Sequence, residues 1–261
     1  MLQPYDIKHY QNYFHGFVQQ FVDAAPDADT NLRLKEEHCL RVMQIARNLA
    51  FSQGFDSRLS FLSTLAGLFH DLGRFEQYRQ YQTFNDRLSV NHGFLSTKIL
   101  QRENILQKLA QPDKKCILKA VLFHNRRFLP PGLTGWCLKV VGAVRDADKL
   151  DIYPVILLHI TRDTRDSNIV TLNLETGDDI TPAILEQVKA GHLADYHRMQ
   201  YKNDFLLLMA SWVYDLNYPY SCLQVLDKGY INTIFAMLPR TAQMQSLESE
   251  LTLYLKQRAA K

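Results

Sequence analysis

LSFLSTLAGLFHDLGR, residues 59–74, is the stretch that decides how this chain folds. Leu59, Leu62 and Ala66 recur at three- and four-residue spacing, which marks one buried face of an α-helix, and His70 falls on that face. The apolar run therefore ends in two metal-type side chains, His70 and Asp71, just before a glycine, Gly73. Four similar residues stand to either side. His38 shares a stripe with Leu34, Val42, Ile45 and Leu49; His92 with Leu88, Leu95 and Ile99; His124 with Ile117, Ala120 and Val121; Asp148 with Val141, Val144 and Ile152. Burying a carboxylate without a partner costs several kcal/mol, so a repeated choice of such groups on inward faces points to metal. Imidazole and carboxylate suit first-row divalent ions, and six of them are enough to hold two.

Neighbouring helical side chains point about 100° apart. His70 and Asp71 can serve one ion pair only at a helix end, where Gly73 frees the backbone. A carboxylate placed there can bridge two ions, one oxygen to each. The natural partition gives His38, His70, Asp71 and Asp148 to one ion, and Asp71, His92 and His124 to the other. Each ion then keeps open positions, as catalytic rather than structural sites do.

The remaining pattern is helical almost throughout. Tyr10, Tyr13, Phe14, Phe17, Val18 and Phe21 line a first helix ending before Pro26, and read as core. Asn31 is a candidate cap for a second helix that Gly54 stops; Ser57 or Asp56 for a third. Phe75 to Asp86, with QYRQYQTFND at its end, has no clear period and reads as a functional loop. Ser89 is read as the opening of the helix carrying His92, and Pro112 suits a first helical turn before His124. Beyond Pro154, NIVTLNLE alternates well enough for one short β-hairpin near 167–176, and helices are expected at 181–190, 203–216, 221–226, 230–238 and 241–259. The expected architecture is all-α: one domain over 1–261, with a metal-binding core at about 30–155 and a helical C-terminal extension at about 180–259.

Composition narrows the function classes. With 261 residues and 46% hydrophobic content the chain can bury a full core. A net charge of +3 with scattered basic residues argues against binding duplex nucleic acid. The N-terminus lacks an apolar signal region, and the longest apolar stretch, 205–213, is too short to span a bilayer. Cys39, Cys116, Cys137 and Cys222 are widely spaced and read as reduced, buried thiols. The expectation is a soluble cytoplasmic protein that does not engage a membrane.

The order His38, His70-Asp71, His92, His124, Asp148, with HDLGR at 70–74 and DADKLD at 146–151, resembles the HD-domain superfamily of metal-dependent phosphohydrolases. The resemblance covers about residues 30–155, and the two extra histidines are similar to its binuclear branch. It implies an all-α fold, ligands facing one pocket, and hydrolysis of a phosphoester or phosphoanhydride. Within DADKLD it implies Asp148 as the ligand, and it implies Arg74 as a phosphate contact. Arg74 and Phe75 stand where the family's guanosine tetraphosphate hydrolases carry an acidic pair, and the Gly-Tyr-Pro segment of its cyclic-dinucleotide phosphodiesterases is missing.

The expected site comprises the six ligands, with Asp71, Arg74 and Lys149 as catalytic groups and Arg41, Asp86, Asn91 and Arg126 as substrate contacts. The expected cofactors are two divalent ions, drawn from Mn, Fe, Ni, Co, Zn or Mg. The leading reading is a phosphohydrolase that uses metal-activated water on a small phosphorylated substrate, such as a nucleotide. A homo-oligomer is compatible with it. A mixed-valence di-iron oxygenase with the same ligands is the alternative, and a non-catalytic sensor on the same fold is the third reading.

Overall fold

The computed structural model describes residues 6–22, 26–162 and 174–261. The described chain is all-α and divides into two compact units, 1–148 and 149–261. Among the described residues no helix is long and apolar enough to cross a membrane.

In the first unit, α1 (Ile7–Val22) buries its aromatic stripe as expected. Phe14, Phe17 and Phe21 all pack on Phe75, with ring centroids 5.9, 6.5 and 6.2 Å away. Such buried ring pairs contribute about 0.5–1.5 kcal/mol each beyond their area. They anchor the segment just after the His70–Asp71 dyad. Helix α2 (Pro26–Ser52) begins earlier than the expected cap, and Asn31 instead donates to the Tyr78 hydroxyl at 2.9 Å. Gly54 adopts φ +62° beyond its end. Asp56 caps α3 (Ser57–Phe69), accepting from the Leu59 amide at 2.7 Å.

The dyad itself forms the tight turn between α3 and α4 (Gly73–Tyr81). Helix α4 replaces the first half of the expected loop. Its buried face carries Phe75, Glu76 and Gln77. Two of these are polar and are satisfied by side-chain partners, so no apolar period marks the helix. Gly73 is needed for space. A Cβ there would lie 2.6 Å from the His92 carbonyl and 2.7 Å from the Ser96 amide. The Ser96 hydroxyl accepts from the Gly73 amide at 2.7 Å and donates to the His70 carbonyl at 3.0 Å. This locks the dyad turn against α5 (His92–Arg102). Asn91, not Ser89, caps α5, accepting from the Phe94 amide at 2.9 Å. Helix α6 (Gln111–Phe123) starts with Pro112 in its first turn, and α7 (Gly135–Arg162) carries Asp148.

The second unit contains α8 (Pro182–Lys189), α9 (Lys202–Ser211), α10 (Pro219–Asp227), α11 (Tyr230–Met237) and α12 (Ala242–Ala259). Asp204, fully buried, accepts from the amides of Thr181, Gln200 and Tyr201 and from the Thr181 hydroxyl, which ties the starts of α8 and α9 together. Tyr153 stacks on Tyr230 at 5.0 Å and donates to the Met209 carbonyl at 2.9 Å. The expected hairpin falls mostly outside the described residues. Within them, Glu175 forms a single parallel bridge to Tyr201.

Candidate metal centre

Five segments of the first unit deliver the six side chains. His38 comes from the middle of α2, His70 and Asp71 from the α3–α4 turn, and His92 from the first position of α5. His124 follows the last residue of α6, and Asp148 lies on α7. All are buried except Asp148, whose side chain is 16% exposed. The two oxygens of Asp71 sort the histidines into pairs. Oδ2 faces His38 Nε2 at 3.6 Å and His70 Nε2 at 3.8 Å; Oδ1 faces His92 Nε2 at 3.2 Å and His124 Nε2 at 3.7 Å. Asp148 joins the first pair, with its Oδ1 3.2 Å from His38 and 3.5 Å from His70. Three overlapping groups, His38–His70–Asp71, His70–His124–Asp148 and Asp71–His92–His124, each bring their ligand atoms within 4.8 Å of one another.

Hydrogen bonds on the outer side of the rings set which nitrogen faces inward. His70 Nδ1 meets the Gly67 carbonyl and His124 Nδ1 the Val121 carbonyl, both at 2.7 Å. A carbonyl can only accept, so each Nδ1 bears a proton. His92 Nδ1 lies 2.7 and 2.8 Å from the two oxygens of Asp86. Burial opposes ionisation of Asp86, but the hydrogen bond from His92 and the Arg74 charge outweigh it and hold its pKa at about 2. His92 therefore donates outward too. Burial, helped by the Arg74 charge, pushes its own pKa down to about 3, and burial likewise lowers that of His124. Both rings are neutral, their Nε2 atoms sit 3.0 Å apart with a lone pair on each, and the Asn125 amide nitrogen lies 3.3 Å from that of His92. The buried Asp71 Oδ1 beside them has no hydrogen-bond partner. Three electron-pair donors, His92 Nε2, His124 Nε2 and Asp71 Oδ1, converge here, and such a set fits a divalent cation.

The first group carries more negative charge. Burial opposes charge on Asp71, yet Lys35, His70 and Arg74 hold its carboxyl well below the usual range. Asp148 is held low by His38 and His70 against the same burial. Burial also opposes protonation of His70, but the Asp71 and Asp148 charges prevail and raise its pKa. A proton is drawn to the place a cation would occupy.

The other expected site residues are placed as follows. Asp86 sits behind His92, where it also accepts from Gln77 Nε2 and Arg74 Nη1, each at 3.0 Å. Arg74 spends Nη1 on the Phe84 carbonyl, Gln77 and Asp86, while its Nε lies 3.5 Å from Asp71 Oδ1. Asn91 caps α5 and donates to Asp86 Oδ2 at 3.3 Å. Arg41 pairs with Glu37 on the exposed face of α2, and the Arg126 side chain is exposed. Lys149 pairs with Asp215 at 2.7 Å within the second unit.

Two residues escaped sequence reasoning. Lys35, one turn before His38, places Nζ 3.0 Å from Asp71 Oδ2. Its i−3 spacing from a candidate ligand was a usable signal. Arg145, buried on α7, donates to the carbonyls of Phe123, His124 and Arg126 and so fixes the end of α6 that presents His124. Nothing in a lone arginine three residues before Asp148 announces that role.

Residues 36–153, the span holding all six side chains, match the family model of the HD domain. The chain carries an HD domain. No curated protein and no solved structure matched it. HD domains bind divalent metals and are mostly metal-dependent phosphohydrolases, and the His/Asp groups of this HD domain could hold such ions.

Proposed function

We propose that the protein is a binuclear metal-dependent phosphohydrolase acting on a small phosphoester or phosphoanhydride. The observation that carries this reading is Asp71, whose two oxygens each face a separate pair of histidines. A pair of divalent cations, when bound, acidifies water and withdraws charge from phosphoryl oxygens. His38, His70, Asp71 and Asp148 would hold one ion, and Asp71, His92 and His124 the other. Because Asp71 and Asp148 resist protonation, they act as charge donors and not as general bases. Asp86 and the carbonyls of Gly67 and Val121 keep three imidazoles in the tautomer a metal needs. Arg74 neutralises Asp86 and stands beside Asp71, which places positive charge at the edge of the site.

The test combines metal content with turnover. Elemental analysis of protein purified without chelator should find about two ions per chain, consistent with a six-ligand set of this kind. Asp71→Ala should lose both ions and His124→Ala mainly one. Hydrolysis of a generic phosphoester should require added Mn²⁺, Co²⁺ or Ni²⁺, vanish with chelator and be unaffected by removing O₂. Full metal retention by Asp71→Ala would refute the bridging arrangement. Stoichiometric O₂ uptake with an organic substrate would replace the hydrolase by an oxygenase on the same ligands.

A further inference from the structure

Lys35 occupies a position that a metal-loaded site cannot leave unchanged. Its ammonium lies 3.0 Å from Asp71 Oδ2, the oxygen that faces His38 and His70. The Asp71 side chain is 4% exposed, whereas that of Lys35 is 24% exposed, so the lysine approaches from the solvent side. Its Nζ also lies 5.6 Å from the centre of the Phe84 ring, and the Arg74 guanidinium lies 5.9 Å from the same ring. Phe84 is held in turn by Tyr78, 4.7 Å away, and Tyr78 by Asn31. Two cationic side chains thus flank one fixed aromatic ring, with Asp71 between them.

From this juxtaposition we infer that Lys35 is a placeholder cation: it neutralises Asp71 in the metal-free protein, and in the loaded protein it becomes a binding residue for an anionic phosphoryl group. The inference rests on the metal-dependent reading above. The physical ground is charge balance. An ammonium and a divalent ion beside one carboxylate oxygen repel each other, and a partly solvated protein site screens that repulsion less than bulk water does. A flexible, partly exposed lysine relieves this by leaving Asp71, and its four-carbon stem lets it turn to an incoming anion. The Phe84 face offers the displaced ammonium a favourable surface close by. Arg74 is less free to do the same, because its Nη1 already serves three acceptors.

The experiment uses the full chain and needs no turnover. Mn²⁺ is titrated calorimetrically into chelator-stripped wild type, Lys35→Met and Lys35→Arg, followed by inorganic phosphate on the loaded proteins. Lys35→Met should bind the first ion at least about tenfold more tightly, as expected from removing a nearby unit charge. It should also lose about tenfold or more in phosphate affinity, in line with losing a charge-assisted contact. Lys35→Arg, which keeps the charge, should stay near wild type on both measures. Circular dichroism shows whether each variant folds, and Lys35→Gln replaces Lys35→Met should that variant fail. Unchanged Mn²⁺ affinity in the neutral variant would overturn the placeholder role, and unchanged phosphate affinity the anion-binding role. If wild type takes up Mn²⁺ and phosphate but hydrolyses no phosphoester, the hydrolase reading falls while the role of Lys35 is still decided by these titrations.

Discussion

A single hydrogen-bonded carboxylate illustrates how the centre is built one residue at a time. Asp86 was expected to touch substrate, yet it lies against His92 Nδ1 and gathers Gln77, Asn91 and Arg74 around itself. Its work is to orient an imidazole and keep it in one tautomer. Asp86→Asn retains an acceptor oxygen but loses the charge. It should weaken binding at the His92–His124 side by about 10–100-fold, the usual effect of removing such a partner, measurable by competition with a metal-sensitive dye. The same residue carries a pH signature. A folded-state pKa of about 2, below the ordinary aspartate value, gives stability that is complete above that ordinary value and is lost as pH falls through about 2. In chelated protein, urea unfolding should therefore show a decline in stability between about pH 4 and about pH 2 that Asp86→Asn makes shallower. An identical pH profile in the variant would rule out this linkage.

At the level of helices and turns, the decisive contact is that of the dyad turn with α5. Gly73 leaves no room for a methyl group beside backbone atoms of His92 and Ser96. Gly73→Ala must push two helices apart, so it should cost about 1–3 kcal/mol, the range for forcing an extra carbon into a packed interior. A methyl group added at Gly16 on α1 would meet nothing within 4 Å, so Gly16→Ala should have the opposite sign and stabilise by up to about 1 kcal/mol. Equal melting temperatures for the two variants would contradict the close packing. Helices with a strong apolar period were legible in the sequence: α1 through its phenylalanines and α3 through Leu59, Leu62 and Ala66, whereas two residues of the stripes read around His38 and His92, Leu34 and Leu88, are exposed. Helix α4 was not legible. Its inner face is closed by Glu76 bound to Arg102 and by Gln77 bound to Asp86 and Ser89, and pairing of that kind leaves no trace in hydrophobic spacing. Lys149, Arg41 and Arg126 are singled out in the sequence by adjacency to a ligand or spacing from one, and of these only Lys149 is turned by about 100° from its ligand on the same helix. In the folded chain Arg41 pairs with Glu37, Lys149 pairs with Asp215, and Arg126 is exposed.

For the molecule as a whole, a metal centre of the kind proposed would be a source of instability until it is filled. Two neutral imidazoles present opposed lone pairs 3.0 Å apart, and a buried carboxylate oxygen beside them has no hydrogen-bond partner. Divalent ions should raise the melting temperature and chelator should lower it. At a free ion concentration about a hundred times Kd the gain is about 2.7 kcal/mol per site. Differential scanning calorimetry with and without Mn²⁺ measures this, and coincident transitions would argue against a metal centre. The segment between α4 and α5 adds a constraint on how such a chain can vary over time. Surface connections usually accept insertions and deletions freely. This one is fastened along its length: the Phe84 carbonyl to Arg74, Asp86 to His92, and Ser89 and the Val90 carbonyl to Gln77. One residue more or fewer would shift Asp86 out of step with the ring it steadies. The connection is outwardly a loop, but its length is as tightly constrained as the spacing between two core residues.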